Sequence, residues 1–178
     1  MGPIERCDDT PMIRRIRPDE GPRLRALRLR ALADAPLTFG STLTREAAFT
    51  DDAWQERARR GASGAEGVTF VAELEGQWVG IATGLPIDPD APDDPRPVLV
   101  GMFVGPEARG RGVGAGLVDA VVGWARDRGA EGLCLWVTAT NASAIALYAR
   151  CGFRNSGARR SLAHSPGVDM LRMVRDLP

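Results

Sequence analysis

The run from Leu99 to Gly116, LVGMFVGPEARGRGVGAG, constrains this chain more than any other stretch. It reads as a strand, a short Pro106-Glu107 turn, and an arginine-and-glycine loop that opens a helix. Glycine loses more backbone freedom on folding than any other residue. Gly105, Gly110, Gly112, Gly114 and Gly116 therefore belong where backbone must come close to something or turn with positive φ. A helix N-terminus presents unpaired N–H groups and a partial positive charge, and a glycine-rich approach lets an anion reach them. Arg109 and Arg111 add cations that can grip phosphate oxygens with two donors at once. The arrangement fits a pyrophosphate.

The rest of the chain sets this loop in a mixed α/β (α+β type) sheet. Met12 to Arg17 reads as a short strand. Pro18, Asp19 and Glu20 then form the acidic first turn of a helix through Leu24, Leu27, Leu29 and Leu32 that ends near Pro36. The arginines between those leucines read as a solvated face. Residues 37–46 form a polar connection, followed by a helix from Asp52 to Arg60 in which Asp52 and Gln55 have capping-box spacing. Segment 37–50 reads as a surface loop, with the lining of an acceptor site as the alternative. Val68–Leu74 and Trp78–Leu85 read as a hairpin joined by Glu75, Gly76 and Gln77. Between Pro86 and Pro97, five prolines and four aspartates predict an exposed, solvated loop.

Val98–Val104 is apolar on both faces and so central in the sheet. After the loop, Val113, Leu117, Val121 and Trp124 recur at helical spacing, with Gly129 as the stop. Leu133–Thr138 follows as a buried strand, and a strand, helix and strand of this length make a right-handed parallel crossover. A helix from Asn141 to Cys151, stopped by Gly152, and two β-like segments near 153–163 and 168–174 complete the chain.

With 178 residues, the chain reads as one domain over 11–178 behind a polar, poorly ordered leader at 1–10. Formal net charge is zero, from 23 basic and 23 acidic residues, which gives no electrostatic reason to expect nucleic acid or an anionic membrane. Cys7, Cys134 and Cys151 are too few and too widely spaced for a disulfide framework or a zinc site, and no metal site is expected. A reducing cytoplasm fits. No apolar run is long enough to span a bilayer.

Gly110, Gly112 and Ala115 formally satisfy the dinucleotide fingerprint G-x-G-x-x-A. That unit normally opens its sheet and needs an acid at the end of its second strand. Here the motif lies mid-chain, and the following strand runs out as Val137-Thr138-Ala139-Thr140. A P-loop is excluded because the chain has no lysine. What the residues do resemble is the GCN5-related N-acetyltransferase (GNAT) superfamily. Arg109-Gly110-Arg111-Gly112-Val113-Gly114 is similar to its Q/R-x-x-G-x-G/A pyrophosphate loop. Asn141-Ala142-Ser143-Ala144, Leu147-Tyr148 and Cys151-Gly152-Phe153 are similar to its N-x-x-A, LY and GF segments.

The resemblance implies a mostly antiparallel sheet flanked by helices, with a parallel strand pair splayed at the cofactor site. It also implies acetyl-CoA as cofactor and acetyl transfer to a primary amine of a small molecule or peptide N-terminus. By resemblance, Met102, Phe103 and Val104 hold the pantetheine arm, while Arg109, Gly110, Arg111, Gly112, Val113 and Gly114 bind the pyrophosphate. Asn141 and Ala144 contact the cofactor, and Tyr148 gives a proton to the departing thiolate. Asn141 and Tyr148 are seven residues apart, two helical turns, and project from one face. Their other readings are a helix N-cap for Asn141 and a core aromatic for Tyr148.

No glutamate lies on Val98–Val104, where many relatives carry one. Glu46, Glu73, His164 and Asp169 are the candidate bases, and a water chain or an already neutral amine would also serve. The missing glutamate keeps a second reading open, a non-catalytic module that binds acyl-CoA. Cys151 reads as a packing residue and not as an acyl carrier. The resemblance leaves a homodimer open, and no segment of the chain specifies one.

Overall fold

The computed structural model describes residues 10–178. Except for Thr10, the expected leader lies outside the described residues, as does Cys7. The first half contains β1 (Met12–Arg15), α1 (Gly21–Asp34), α2 (Leu43–Ala47), α3 (Asp51–Ser63), β2 (Val68–Leu74) and β3 (Gln77–Leu85). The second contains β4 (Val98–Val104), a 3₁₀ turn (Pro106–Ala108), α4 (Val113–Asp127), β5 (Gly132–Thr138), α5 (Ala142–Arg150), β6 (Arg154–Leu162) and β7 (Ser165–Asp176). The strands form one seven-stranded sheet in the order β1-β2-β3-β4-β5-β7-β6. Every pairing is antiparallel except that of β4 with β5. No helix among the described residues is long and apolar enough to cross a membrane.

Local signals decide most boundaries. The β2–β3 hairpin turns on Glu75 (φ 50°) and Gly76 (φ 77°), two positive-φ residues whose twist matches that of the flanking strands. Gly129 (φ 72°) and Gly152 (φ 84°) follow α4 and α5 and stop them as expected. The sheet is covered on both faces. One core layer joins α1 and α3 through Leu24, Leu27, Leu32 and Trp54 to Val71, Ile81 and Phe103. The other joins α4 through Leu117, Val118 and Val121 to Val68, Leu99, Leu135 and Tyr148.

Four expectations need correction. Helix α1 begins at Gly21 and not at Pro18. The Glu20 carboxylate leaves the first turn to accept the Arg17 N–H at 2.8 Å and to pair with Arg14 at 2.7 Å. The cap of α3 is Thr50, whose Oγ1 accepts the Ala53 N–H at 3.2 Å, while Gln55 donates to the Pro18 carbonyl and makes no capping box. The arginine side of α1 is not a solvated face, because Arg28 is buried against Glu46 on α2, a helix the polar composition of 37–46 concealed. Nor is the proline-rich loop solvated throughout. Asp88 is 2% exposed and accepts Trp136 Nε1–H at 2.9 Å, and Asp94 takes Arg96 and Arg172.

Candidate active site

The parallel crossover creates an opening in the sheet. β4 and β5 are in register only at Val98–Cys134 and Leu99–Leu135. Beyond Leu99 the strands diverge, so the β5-facing backbone of residues 100–104 has no strand partner. β4 itself bends here, with a register shift opposite Ile81–Thr83 and Gly101 in the left-handed region at φ 64°. The gap opens on a cleft of about 950 Å³ lined by Met102, Phe103, Val104, Arg109, Gly110, Gly112, Val113, Gly114, Asn141, Ala144 and Tyr148. Eleven of the twelve residues predicted for the site thus meet in one cleft, Arg111 alone not being among those lining it. The Phe103 side chain, however, packs into the α1–α3 core, so only its backbone can serve the cleft.

The glycines of the loop divide into distinct roles. A side chain at Gly110 (φ 75°) or Gly112 (φ 80°) would meet nothing within 4 Å, so open space lies over backbone that L residues rarely adopt. Gly112 is the N-cap of α4 and makes no side-chain capping bond, which leaves the first-turn N–H groups of that helix for an anion. Gly105, Gly114 and Gly116 are glycines for packing instead. A Cβ on Gly114 would sit 2.9 Å from Leu147, one on Gly105 would meet the Glu107 carboxylate at 2.6 Å, and one on Gly116 would strike Ile13. Arg109 Nε donates to the Val104 carbonyl at 3.0 Å and ties the loop to the end of β4. Glu107 takes a two-pronged pair from Arg30 of α1 at 2.8 and 2.7 Å.

On α5, the Asn141 side chain caps the helix by accepting the Ala144 N–H at 3.2 Å. Tyr148 packs edge-on to Phe153 with ring centroids 6.0 Å apart. No described residue hydrogen-bonds its hydroxyl, and burial, then the neighbouring Cys151, pushes the phenol well above its ordinary value. It therefore keeps its proton at neutral pH. Cys151 also lines the cleft, and burial raises its thiol, which keeps the nucleophilic thiolate scarce.

A second chamber of about 550 Å³ adjoins the first. Thr38, Phe39, Leu99, Val100, Gly101 and Trp136 line both. Residues 37–39 form a strap between them, held by Thr138 Oγ1 donating to the Leu37 carbonyl and His164 Nε2 donating to the Phe39 carbonyl, each at 2.8 Å. Sequence reasoning missed Arg28, Phe39, Asp88 and Trp136 here, although the loop reading of 37–50 as an acceptor lining had allowed for Phe39. None of the four candidate bases lines either chamber. Burial would raise the Glu46 carboxyl, but the hydrogen bonds and charges of Arg28 and Arg57 outweigh it and hold the group at about 2. Glu73 is bound by Arg14 and Arg23, and Asp169 is exposed beside Arg159.

A cleft over a splayed parallel pair, with a glycine-lined helix N-terminus at one end, can take an extended ligand that carries an anion. The acetyltransferase (GNAT) family profile matches residues 29–153, and the chain belongs to that family. Human N-acetyltransferase 8 is 36% identical over 88 residues, which are 49% of this chain and 39% of that protein. The chain spans about two-fifths of the length of the curated relatives it matches closely in this way. The ribosomal-protein-alanine N-acetyltransferase of Brucella melitensis superposes with a TM-score of 0.74 at 27% identity, covering 93% of this chain and 99% of that one. The yncA protein of Salmonella typhimurium, solved with acetyl-CoA, superposes with a TM-score of 0.72 over 95% of each chain. At 18% identity it shows the shared fold.

Proposed function

We propose that the chain, read as one domain over 11–178, is an acetyl-CoA-dependent N-acetyltransferase. It moves acetyl directly to a primary amine of a small molecule or peptide N-terminus, without a covalent enzyme intermediate. The observation that carries this reading is the divergence of β4 from β5 beyond Leu99, which exposes unpaired β4 backbone in the same cleft as the uncapped start of α4. Acetyl-CoA, when bound, supplies the acyl group as a thioester. Backbone N–H groups of Arg111 to Gly114, with Arg109 and Arg111, would hold its pyrophosphate, and the backbone of Met102 and Val104 its pantetheine arm. Asn141 and Ala144 line the same cleft.

Tyr148 Oη holds the proton that the leaving sulfur needs, and its raised phenol keeps that proton in place. The amine enters from the Phe39–Trp136 chamber, where none of the four candidate bases is positioned to take its proton, so water or the neutral fraction of the amine itself serves in their place. The free thiols of Cys134 and Cys151 are in keeping with a reducing, cytoplasmic setting. A screen of small amines and peptide N-termini, read by thiol release and acetyl mass gain, tests the reading. Acetyl-CoA binding without transfer to any amine would overturn it in favour of a binding module, the alternative that a β4 strand lacking glutamate keeps open.

Two substitutions check the roles in the cleft. Tyr148→Phe is expected to lower kcat by about 10-fold or more with little change in KM for acetyl-CoA. An unaltered kcat removes Tyr148 from the proton path. Cys151→Ala is expected to keep kcat within about 2-fold of the parent, because a partly buried thiol of raised pKa is a poor nucleophile. Loss of activity there, or a trapped acetyl-thiol detected by mass spectrometry, would instead make Cys151 an acyl carrier.

A further inference from the structure

Within the acetyltransferase reading, on which this step rests, we infer that the acceptor is an α-amino acid whose carboxylate is bound by Arg28. Arg28 is 9% exposed and lines the second chamber. Two of its nitrogens are committed to Glu46, with Nε 3.0 Å from Oε2 and Nη2 2.8 Å from Oε1. The third, Nη1, is buried and has no hydrogen-bond partner. A buried donor without a partner is costly, more so on a charged group, and a binding site is where such a donor gains its partner from a ligand.

The charge balance identifies that ligand. Glu46 also accepts from Arg57 Nη1 at 3.0 Å, so one carboxylate serves two guanidinium groups and the cluster retains one positive charge. Both arginines line the chamber. Its other charged side chains are largely paired with one another, Arg160 with Asp90 and Arg60 with Glu66. Asp88 adds a carboxylate held by neutral donors, Trp136 Nε1–H and the Asp90 N–H, and its charge suits the ammonium end of a zwitterion. An anion on the Arg28 side therefore completes the site, and guanidinium recognises a carboxylate by charge-assisted hydrogen bonds.

Geometry limits the spacing between that carboxylate and the amine. Nη1 lies 3.7 Å from where a Cβ on Gly101 would be, at the bulge where β4 leaves β5. A carboxylate on Nη1 is thus beside the opening at which the amine must arrive, a separation suited to an α-amino acid and too short for a long ω-amino acid. The Phe39 ring, 4.6 Å from the guanidinium carbon, covers this spot, so the strap at residues 37–39 has to shift to admit the ligand. Leu24, Ile81, Leu85 and Met170 offer apolar surface to the acceptor side chain.

Steady-state acetylation of L-phenylalanine, L-leucine and L-methionine is compared with that of their carboxamides and decarboxylated amines. The free acids are expected to show kcat/KM at least 10-fold higher. Equal rates, or a preference for amide or amine, overturn the proposal. Arg28→Lys should raise KM for the amino acid by 10-fold or more while leaving acetyl-CoA affinity, measured by titration, unchanged, a pattern that misfolding cannot produce. Arg57→Gln, at a half-exposed position, should raise the same KM several-fold, and no change in either variant also overturns it. If no compound is acetylated, the acetyltransferase reading fails separately and calorimetry decides the site. Binding of L-phenylalanine but not its amide, lost in Arg28→Lys, supports the carboxylate site, and no binding refutes it.

Discussion

Gly112→Val is expected to weaken acetyl-CoA binding by 100-fold or more while leaving the fold intact. Gly112 sits at φ 80°, where a β-branched side chain is a genuine outlier, and holding it there costs on the order of 1–3 kcal/mol. The chain escapes that strain by rotating the Gly112 peptide, which turns the N–H groups at the start of α4 away from the anion. If the residue stays, its side chain fills the open space that the phosphate would enter. Either outcome removes a charge-assisted contact, and roughly 3 kcal/mol corresponds to about two decades in affinity. Because a Cβ at Gly112 meets nothing within 4 Å, the core is untouched.

Gly123→Ala, in the middle of α4 with no neighbour within 4 Å and no positive φ, is the matched control and should bind as the parent does. Gly114→Val is the contrasting case, because its Cβ would press on Leu147 and it should lower thermal stability as well as affinity. Isothermal titration with acetyl-CoA, alongside circular dichroism, separates the three. An unchanged dissociation constant for Gly112→Val would remove the loop from the cofactor site.

The second large effect is on stability. Glu46→Ala is expected to destabilise the protein by about 3–5 kcal/mol, since it leaves Arg28 buried and uncompensated and Arg57 without its partner. Equilibrium urea unfolding at pH 7 measures this, and a loss under about 1 kcal/mol would show that the cluster contributes little. The same pair predicts an acid dependence. The Glu46 carboxyl is lowered from 4.5 to about 2 in the folded state, so the stability it confers is fully present above pH 4.5 and is lost as pH falls toward 2. The stability gap between parent and Glu46→Gln should accordingly narrow between pH 4.5 and pH 2. A gap that stays constant there would mean the carboxylate is not held by its arginines.

How far the sequence was legible follows from the range of the forces involved. The strands, the α4 and α5 stops and the β2–β3 turn depend on residues within a few positions of one another, so their pattern is visible in one dimension. The cap of α3 was not, because Thr50 and Asp52 are both competent caps two residues apart, and the choice goes to whichever suits the helix's docking. Helix α2 escaped notice for a similar reason. Its five residues have no apolar stripe, and it exists to present Glu46 to two arginines from other helices.

By itself, the sequence determined that a glycine-lined helix start follows a central strand, and that Asn141 and Tyr148 lie seven residues apart at the two ends of a later helix. Those facts are set by chain chemistry and helical period, whereas the family and the expected cofactor came from the resemblance of the 109–114 and 141–153 motifs. Only the tertiary structure decided which glycines are open and which are packed, since Leu147 and Ile13 approach Gly114 and Gly116 from elements distant in the chain. It alone decided that Arg28 is buried with one donor unspent, because Glu46, Phe39 and Gly101 converge on it from a helix, a strap and a strand. A charged side chain reads as solvated until its partners are known, and partners brought together by folding leave no mark at a fixed spacing.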